Sequence, residues 1–182
     1  MALEPVSIEA KSWEILSVSE ERMEPAKLPE MNQKEMELKK KLEDHVGPTL
    51  DAEDALYEAK EKLKNARTRA ARRAAQKEVD EAQAKYDEER ELHRQLQKDY
   101  NEAKAASQRE EEIATFSLGT GSLPNIRDLK GEMYSKEVDV RAVGEEGAKD
   151  YRFYLRRYIL HDETLDLTHR GRWIIVKIEG LS

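Results

Sequence analysis

Apolar residues recur at two different spacings along this chain, and the spacing changes twice. In residues 33–46, Met36, Leu38, Leu42 and Val46 fall on a loosely helical repeat. Gly47-Pro48 is expected to stop that helix, with Thr49 or Asp51 capping the next. Leu56, Ala59, Leu63, Ala66 and Ala70 then repeat at alternating intervals of three and four. Val79, Ala82 and Tyr86 resume the repeat, and Leu96, Tyr100 and Ala103 continue it past Glu89 and His93, which hold seam positions. Neither glycine nor proline occurs from Thr49 to Leu118, where the strong helix formers dominate.

One uninterrupted helix over residues 51–110 would be about 90 Å long. The two halves of the seam are out of phase between Ala70 and Val79, which means either a stutter in a continuous coiled coil or a bend where the chain folds back. Asn65 as a C-terminal cap and Thr68 as an N-cap are able to make that turn without glycine, although Ala71-Arg72-Arg73-Ala74-Ala75 reads more naturally as uninterrupted helix.

After Phe116 the period shortens to two. Gly119-Thr120-Gly121-Ser122 and Pro124 form a joint, and Lys136–Val143 alternates with Val138, Val140 and Ala142 on one face. Gly144-Glu145-Glu146-Gly147 reads as a turn. Tyr151–Leu160 fits a strand face (Tyr151, Phe153, Leu155, Ile159) and a helix face (Tyr151, Tyr154, Leu155, Tyr158, Ile159) equally, and its aromatic and β-branched content favours the strand. The last stretch predicts a hairpin: Thr164–Thr168, a turn at His169-Arg170-Gly171-Arg172 with Gly171 at positive φ, then Trp173–Glu179. In that second strand Ile174, Val176 and Ile178 would share one side and Trp173 and Ile175 the other.

The first 32 residues carry Pro5, Pro25 and Pro29 and an aperiodic scatter of Val6, Ile8, Trp13, Ile15, Leu16 and Val18. Val6 and Ile8 alternate as a short strand would. This segment is too apolar for a solvating tail and cannot bury itself, so it must lie on another part of the chain, another copy or a partner, with Trp13 as its anchor.

Composition sharpens this picture. In 182 residues, 39% are charged and 38% hydrophobic, well away from the usual balance for a spherical core. Net charge is −7, so no global field draws the chain to nucleic acid or to an anionic membrane. There is no cysteine, which removes disulfides, thiolate catalysis and thiolate zinc sites. No secretory signal or spanning segment is legible, and the expected location is the cytoplasm or a large assembly such as a virion.

Charge is nevertheless sorted into blocks. Residues 60–77 hold eight basic side chains, Arg67, Arg69, Arg72 and Arg73 among them, against Glu61; residues 78–95 hold seven acidic ones against Lys85, Arg90 and Arg94. An antiparallel arrangement centred near Lys77 and Glu78 would lay basic against acidic, within one chain or between two.

Two candidate interaction sets follow. The arginine cluster is able to neutralise phosphates or grip an acidic protein surface, or else to pair with the acidic block. In the β region, Arg152, Tyr154, Arg156 and Tyr158 would share one strand face, with Arg170, Arg172 and Trp173 beside the final turn, a composition suited to recognition. His161, Asp162, Glu163, Asp166 and His169 read as a polar turn rather than a metal site. Leu118-Gly119-Thr120-Gly121-Ser122 lacks the Lys-Ser/Thr of a phosphate loop. No serine stands in a nucleophile-elbow context, and neither a cofactor nor a catalytic site is predicted.

The expected fold is α+β: an extended N-terminal docking arm (1–32), a long helical coiled-coil rod or hairpin (33–113, with a short helix 33–46 and a long helix or hairpin 50–113), and a small C-terminal antiparallel β head (114–182). The expected function is a non-enzymatic structural or adaptor protein that homo-oligomerises and docks by arm and head into a larger protein assembly, with no membrane contact. The competing expectation is a small regulatory binder of a nucleic-acid-handling enzyme, acting through the basic helical stripe.

Overall fold

A computed structural model describes residues 8–119, 123 and 125–181. The chain divides into two units, one of residues 33–105 and the other of residues 1–32 with 106–182. Helices and antiparallel strands are both present.

The helical unit begins within α1 (Leu28–Asp44), continues through α2 (Val46–Asn65) and includes α3 (Arg69–Leu118) as far as Ala105. Gly47-Pro48 does not stop a helix; it sits in the first turn of α2. Amides there have no intrahelical acceptor, so a proline loses nothing, and its fixed φ suits the helix. Only His45 separates α1 from α2, giving one long bent helix. Neither Thr49 nor Asp51 is a cap. Thr49 lies inside α2, where its amide and its hydroxyl both donate to the His45 carbonyl, at 3.3 and 3.0 Å.

Between the two readings of the long helical stretch, the chain folds back. Ala66 is extended (φ −70°, ψ 119°), and the Thr68 hydroxyl accepts the Ala71 amide at 3.1 Å as the N-cap of α3. The turn therefore precedes the phase jump in the seam. Leu56, Ala59 and Val79 are buried where α2 and α3 meet, flanked by Leu63, Ala82 and Tyr86. Glu89 and His93, the polar seam residues, meet His45: its Nε2 lies 2.7 Å from Glu89 and its ring stacks on His93 with centroids 5.8 Å apart.

The other unit is a six-stranded antiparallel sheet, curled, with the last turns of α3 packed on one face. Its strands are β1 (Ser12–Val18), β2 (Arg22–Pro25), β3 (Lys130–Gly144), β4 (Gly147–Asp162), β5 (Leu167–Arg170) and β6 (Ile174–Leu181). Residues 151–160 are strand, as their aromatic and β-branched content favours. β3 and β4 pair along their whole length, from Lys130 opposite His161 to Gly144 opposite Gly147. β1 and β2 add to the outer edge of β3, so the N-terminal segment supplies two strands of the sheet. Val6 lies outside the described residues, and Ile8 precedes β1 without being in a strand. Of the glycine joint, Thr120, Gly121, Ser122 and Pro124 also lie outside them; Gly119 ends α3 at φ +84°, its amide donating to Thr115 O at 3.0 Å.

The expected final hairpin does not form. β5 and β6 do not pair with each other: both run antiparallel to β4, along the same edge, one after the other. Residues 171–173 interrupt that edge, and Ser117 of α3 fills the gap. Its hydroxyl accepts the Tyr158 amide (3.0 Å) and donates to the Arg172 carbonyl (2.8 Å), while its carbonyl accepts the Arg172 amide (2.7 Å). Gly171 is accordingly a glycine for want of space and not for positive φ: a Cβ there would stand 2.2 Å from Ser117 Oγ and 2.7 Å from the Tyr158 carbonyl. The turn that does need an unusual backbone is the one joining β4 to β5. There Asp166 has φ 50° and the Asp162 carboxylate accepts the amides of Thr164 and Leu165.

A bulge between Tyr154 and Leu155 changes the facing of β6 as well. Ile175 and Ile178 oppose Leu155 and Phe153 and so share a face, whereas Ile174 and Val176 pack on the core with Leu118 and Leu123. The expected grouping of Ile174, Val176 and Ile178 is overturned by that one extra residue.

Candidate functional site

Period-2 alternation along the long β3–β4 ladder sorts the sheet into two faces of different chemistry. The first, which α3 packs against, carries the even-numbered residues of β4. At its inner end Tyr158 and Leu160 are fully buried with Met133, Leu28, Ile113 and Ala114. The Tyr158 hydroxyl donates to Glu110, and Arg156 approaches the other Glu110 oxygen at 3.5 Å. Burial, together with the Glu110 carboxylate, pushes the Tyr158 phenol well above its usual range.

Farther along the same face the side chains pair across strands. Arg152 grips Asp139 with two bonds of 2.7 and 2.9 Å, Arg141 holds Asp150 with bonds of 2.8 and 2.9 Å, and the Tyr154 hydroxyl donates to Glu179 at 2.6 Å. A groove of about 570 Å³ lies between Tyr154 and α3, its walls carrying Glu20, Glu24, Glu110 and Glu137 against Arg22, Arg109, Lys136, Arg156 and Lys177.

These bonds hold the carboxyls of Asp139, Asp150 and Glu179 below the ordinary range, the largest cause being the hydrogen bond from Arg152, Arg141 and Tyr154 respectively. A lowered folded-state value means that the unfolded chain takes up the proton first. The stability these groups contribute is thus complete above about pH 4 and is lost as pH falls below it. Amide exchange between about pH 4 and 2 is expected to rise first in residues 139–152 and near Glu179. In Arg152→Met the same segment should exchange faster already at neutral pH and respond less to acid.

The second face carries the odd-numbered residues of β4 and has no helix over it among the described residues. β1 places Trp13, Ile15 and Val18 beside Ala142, Val140 and Val138 of β3, and beyond these stand Tyr151, Phe153 and Leu155 of β4 and Ile178 and Ile175 of β6. Trp13 packs on Phe153 with ring centroids 5.9 Å apart. Cross-strand neighbours cover Val140 and Ala142, yet Trp13 is 48%, Ile15 67%, Val18 55% and Ile175 45% exposed. At the inner end of this face the Arg157 guanidinium lies 4.8 Å from the Tyr134 ring and 4.9 Å from that of Trp173, and Lys136 lies 4.3 Å over Trp173. Glu21 accepts from Arg157 at 2.8 Å. The result is an apolar and aromatic surface with cations held over its rings.

The sequence-predicted residues are therefore divided. Arg152, Tyr154 and Arg156 lie on the first face, engaged by Asp139, Glu179 and Glu110 respectively, and Tyr158 is core. Trp13 and Trp173 lie on the second face. Arg170 and Arg172 are exposed on the β5–β6 edge, where the Arg172 backbone holds Ser117. Arg67, Arg69, Arg72 and Arg73 are exposed at the fold-back of α2 into α3, and Arg72 Nε donates to the Ala66 carbonyl at 3.0 Å. The two histidines of the polar turn sit on opposite faces: His161 bonds Glu132 and Thr168, both at 3.2 Å, while His169 is opposite Leu160. No group of three or more metal-ligating side chains converges among the described residues.

Several members of the second face were not singled out by sequence reasoning, namely Ile15, Val18, Tyr134, Lys136, Phe153 and Arg157. Arg157 did leave a signal, as the one charged residue among the apolar odd positions from Tyr151 to Ile159. Comparison with protein-family models, with curated proteins and with solved structures yields no match to this chain. No described helix is long and apolar enough to cross a membrane.

Proposed function

We propose that this chain is a non-enzymatic structural or adaptor protein: a coiled-coil stalk with a β head that docks into a larger protein assembly through the second face of its sheet. The observation that carries this reading is the exposure, on one face of the sheet, of Trp13, Ile15 and Val18 on β1 and of Ile175 on β6, with Tyr151, Phe153 and Leu155 of β4 on the same face between them. Contiguous apolar surface of this kind, rimmed by polar groups, marks interaction sites. Its composition matches the centre of protein interfaces, where tryptophan, tyrosine and arginine dominate the energetics. The cations favour an occupant that brings carboxylates to the rim and apolar side chains to the centre.

The test is co-purification of the full chain from the cells that make it, beside a variant carrying Trp13→Ser and Ile15→Ser. Both positions are on an edge strand with about half or more of each side chain exposed, so the sheet is expected to keep its circular dichroism, with a melting temperature lowered only by the loss of the Trp13–Phe153 contact and of the cover over Val140 and Ala142. The proteins bound by the parent should be lost from the variant, with affinity falling roughly 100-fold, the usual consequence of removing an aromatic anchor and its neighbour. Equal recovery by both chains would show that the partner sits elsewhere.

A further inference from the structure

The fold-back of α2 into α3 leaves the charge blocks of the sequence unsatisfied. Basic gives way to acidic at Lys77–Glu78, but the chain turns earlier, at residues 66–68. Lys60, Lys62 and Lys64 at the end of α2 are thus gathered with Arg69, Arg72 and Arg73 at the start of α3, and residues 60–77 hold eight basic side chains against Glu61. The stem next to this turn has the opposite sign. Residues 51–58 of α2 hold four acidic side chains and no basic one, and lie beside the 78–95 stretch of α3, with seven acidic against three basic. Lys62 and Glu78 pair across the helices at 3.2 Å where the two zones meet, and His45 and Glu89 pair at the far end of the stem. Between those points acidic side chains outnumber basic ones on both helices, an excess that a surface of opposite sign would offset.

The same hairpin leaves apolar surface open. Val46, Leu50 and Tyr57, spaced by four and then seven residues, form one line along α2 and are 44%, 53% and 67% exposed. Tyr57 also borders a groove between the helices whose floor is Ala66, Ala71, Ala74 and Ala75 and whose lining also includes Glu58, Glu61, Lys62 and Glu78. The apolar line runs along the acidic stem, and the alanine groove lies where that stem meets the basic turn.

We infer that a second copy of this chain lies antiparallel across the hairpin, the basic turn of each copy on the acidic stem of the other. Local net charges of +7 at the turn and −8 on the stem are self-complementary only in that orientation. A two-fold axis then satisfies both contacts at once, as an isologous interface requires. It also brings the Val46, Leu50 and Tyr57 line of one copy toward the alanine groove of the other, where small side chains permit close approach. Exposed ion pairs contribute little apiece, so charge sets the orientation and the apolar line supplies the affinity. A polyanion would match the turn but would be repelled by the stem beside it and leave the apolar line bare. This inference does not depend on the function proposed for the sheet.

The test is the mass of the purified full chain by sedimentation equilibrium, for the parent and for two charge-reversed forms. One carries Arg67→Glu, Arg69→Glu, Arg72→Glu and Arg73→Glu; the other carries Asp51→Lys, Glu53→Lys, Asp54→Lys and Glu58→Lys. The parent should run as two chains and dissociate more readily as salt rises from about 0.05 to 0.5 M. Each reversed form should dissociate at least roughly 100-fold more readily on its own. An equal mixture of the two should restore the two-chain mass, because every reversed turn then meets a reversed stem. The salt response of the parent stands even where a variant folds poorly. A parent that stays a single chain, a dimer indifferent to salt, or a parent monomer whose turn instead retains a labelled single-stranded oligonucleotide would each overturn the inference.

Discussion

Gly171→Ala is expected to lower the stability of the sheet unit by about 2 to 4 kcal/mol, the upper end of the cost of forcing extra volume into a packed site. The added Cβ would meet Ser117 Oγ at 2.2 Å, the Tyr158 carbonyl at 2.7 Å and the Ser117 carbonyl carbon at 3.1 Å. The last two are backbone and cannot turn aside. Relief therefore requires α3 to withdraw from the β5–β6 edge, and withdrawal breaks the set of bonds by which Ser117 bridges Tyr158 and Arg172. Chemical denaturation of the full chain measures the loss. Adding Ser117→Gly to Gly171→Ala should recover only part of it, since the backbone clash remains, and the two changes should be strongly non-additive. Full stability in Gly171→Ala would mean that the edge is looser than the geometry shows.

The second large effect is expected at Tyr158. Truncation to alanine removes a fully buried ring and is expected to cost about 3 to 5 kcal/mol, the range for large aromatic core residues. Tyr158→Phe keeps the ring, loses the hydrogen bond to Glu110 and leaves that carboxylate with Arg156 alone, so about 1 to 2 kcal/mol is expected. The two tyrosine variants also differ from the parent in base. The folded chain binds the phenolic proton more tightly than the unfolded chain, whose tyrosine titrates near 10. The stability this provides is intact below about pH 10 and is lost as pH rises above it, because the unfolded state ionises first. Melting temperature followed from pH 8 to about 11 should fall more steeply in the parent than in Tyr158→Phe. Parallel curves for the two would remove Tyr158 from the alkaline transition.

How far the sequence revealed the molecule depended on whether a local period carried the information. The middle of β3 and the Gly144–Gly147 turn were legible because alternation and glycine report directly on local backbone, whereas the period of β4 fitted helix and strand equally and only its aromatic and β-branched content pointed to strand. Thr68 was open to a cap reading, but the Ala71–Ala75 run beside it suits continuous helix, and a fold-back made by distant packing leaves no local mark. Gly47-Pro48 was misleading, since the same dipeptide breaks a helix interior and suits a helix start, and only the surrounding chain decides which applies. The β5–β6 edge was not legible at all. It is organised by Ser117, an ordinary helical serine more than fifty residues away from Arg172, and no periodicity announces such a bridge. The candidate face was half legible: the Arg152, Tyr154, Arg156 and Tyr158 alternation was visible, but alternation cannot say which face a helix will cover. Burial of Tyr158 turned that set inward at one end, and pairing with Asp139, Glu179 and Glu110 engaged the remainder, leaving the opposite face open.

The most direct measurement of the central claim is hydroxyl-radical footprinting of the full chain, free and within the assembly from which it is purified, because oxidation reads side chains and so distinguishes the two faces of one strand. The account predicts that Trp13, Phe153 and Trp173 become protected on assembly while the labelling of Tyr154 and Tyr158, on the other face of the same sheet, stays unchanged. Protection confined to Tyr154 and its neighbours, or equal labelling of Trp13 in both states, would contradict it.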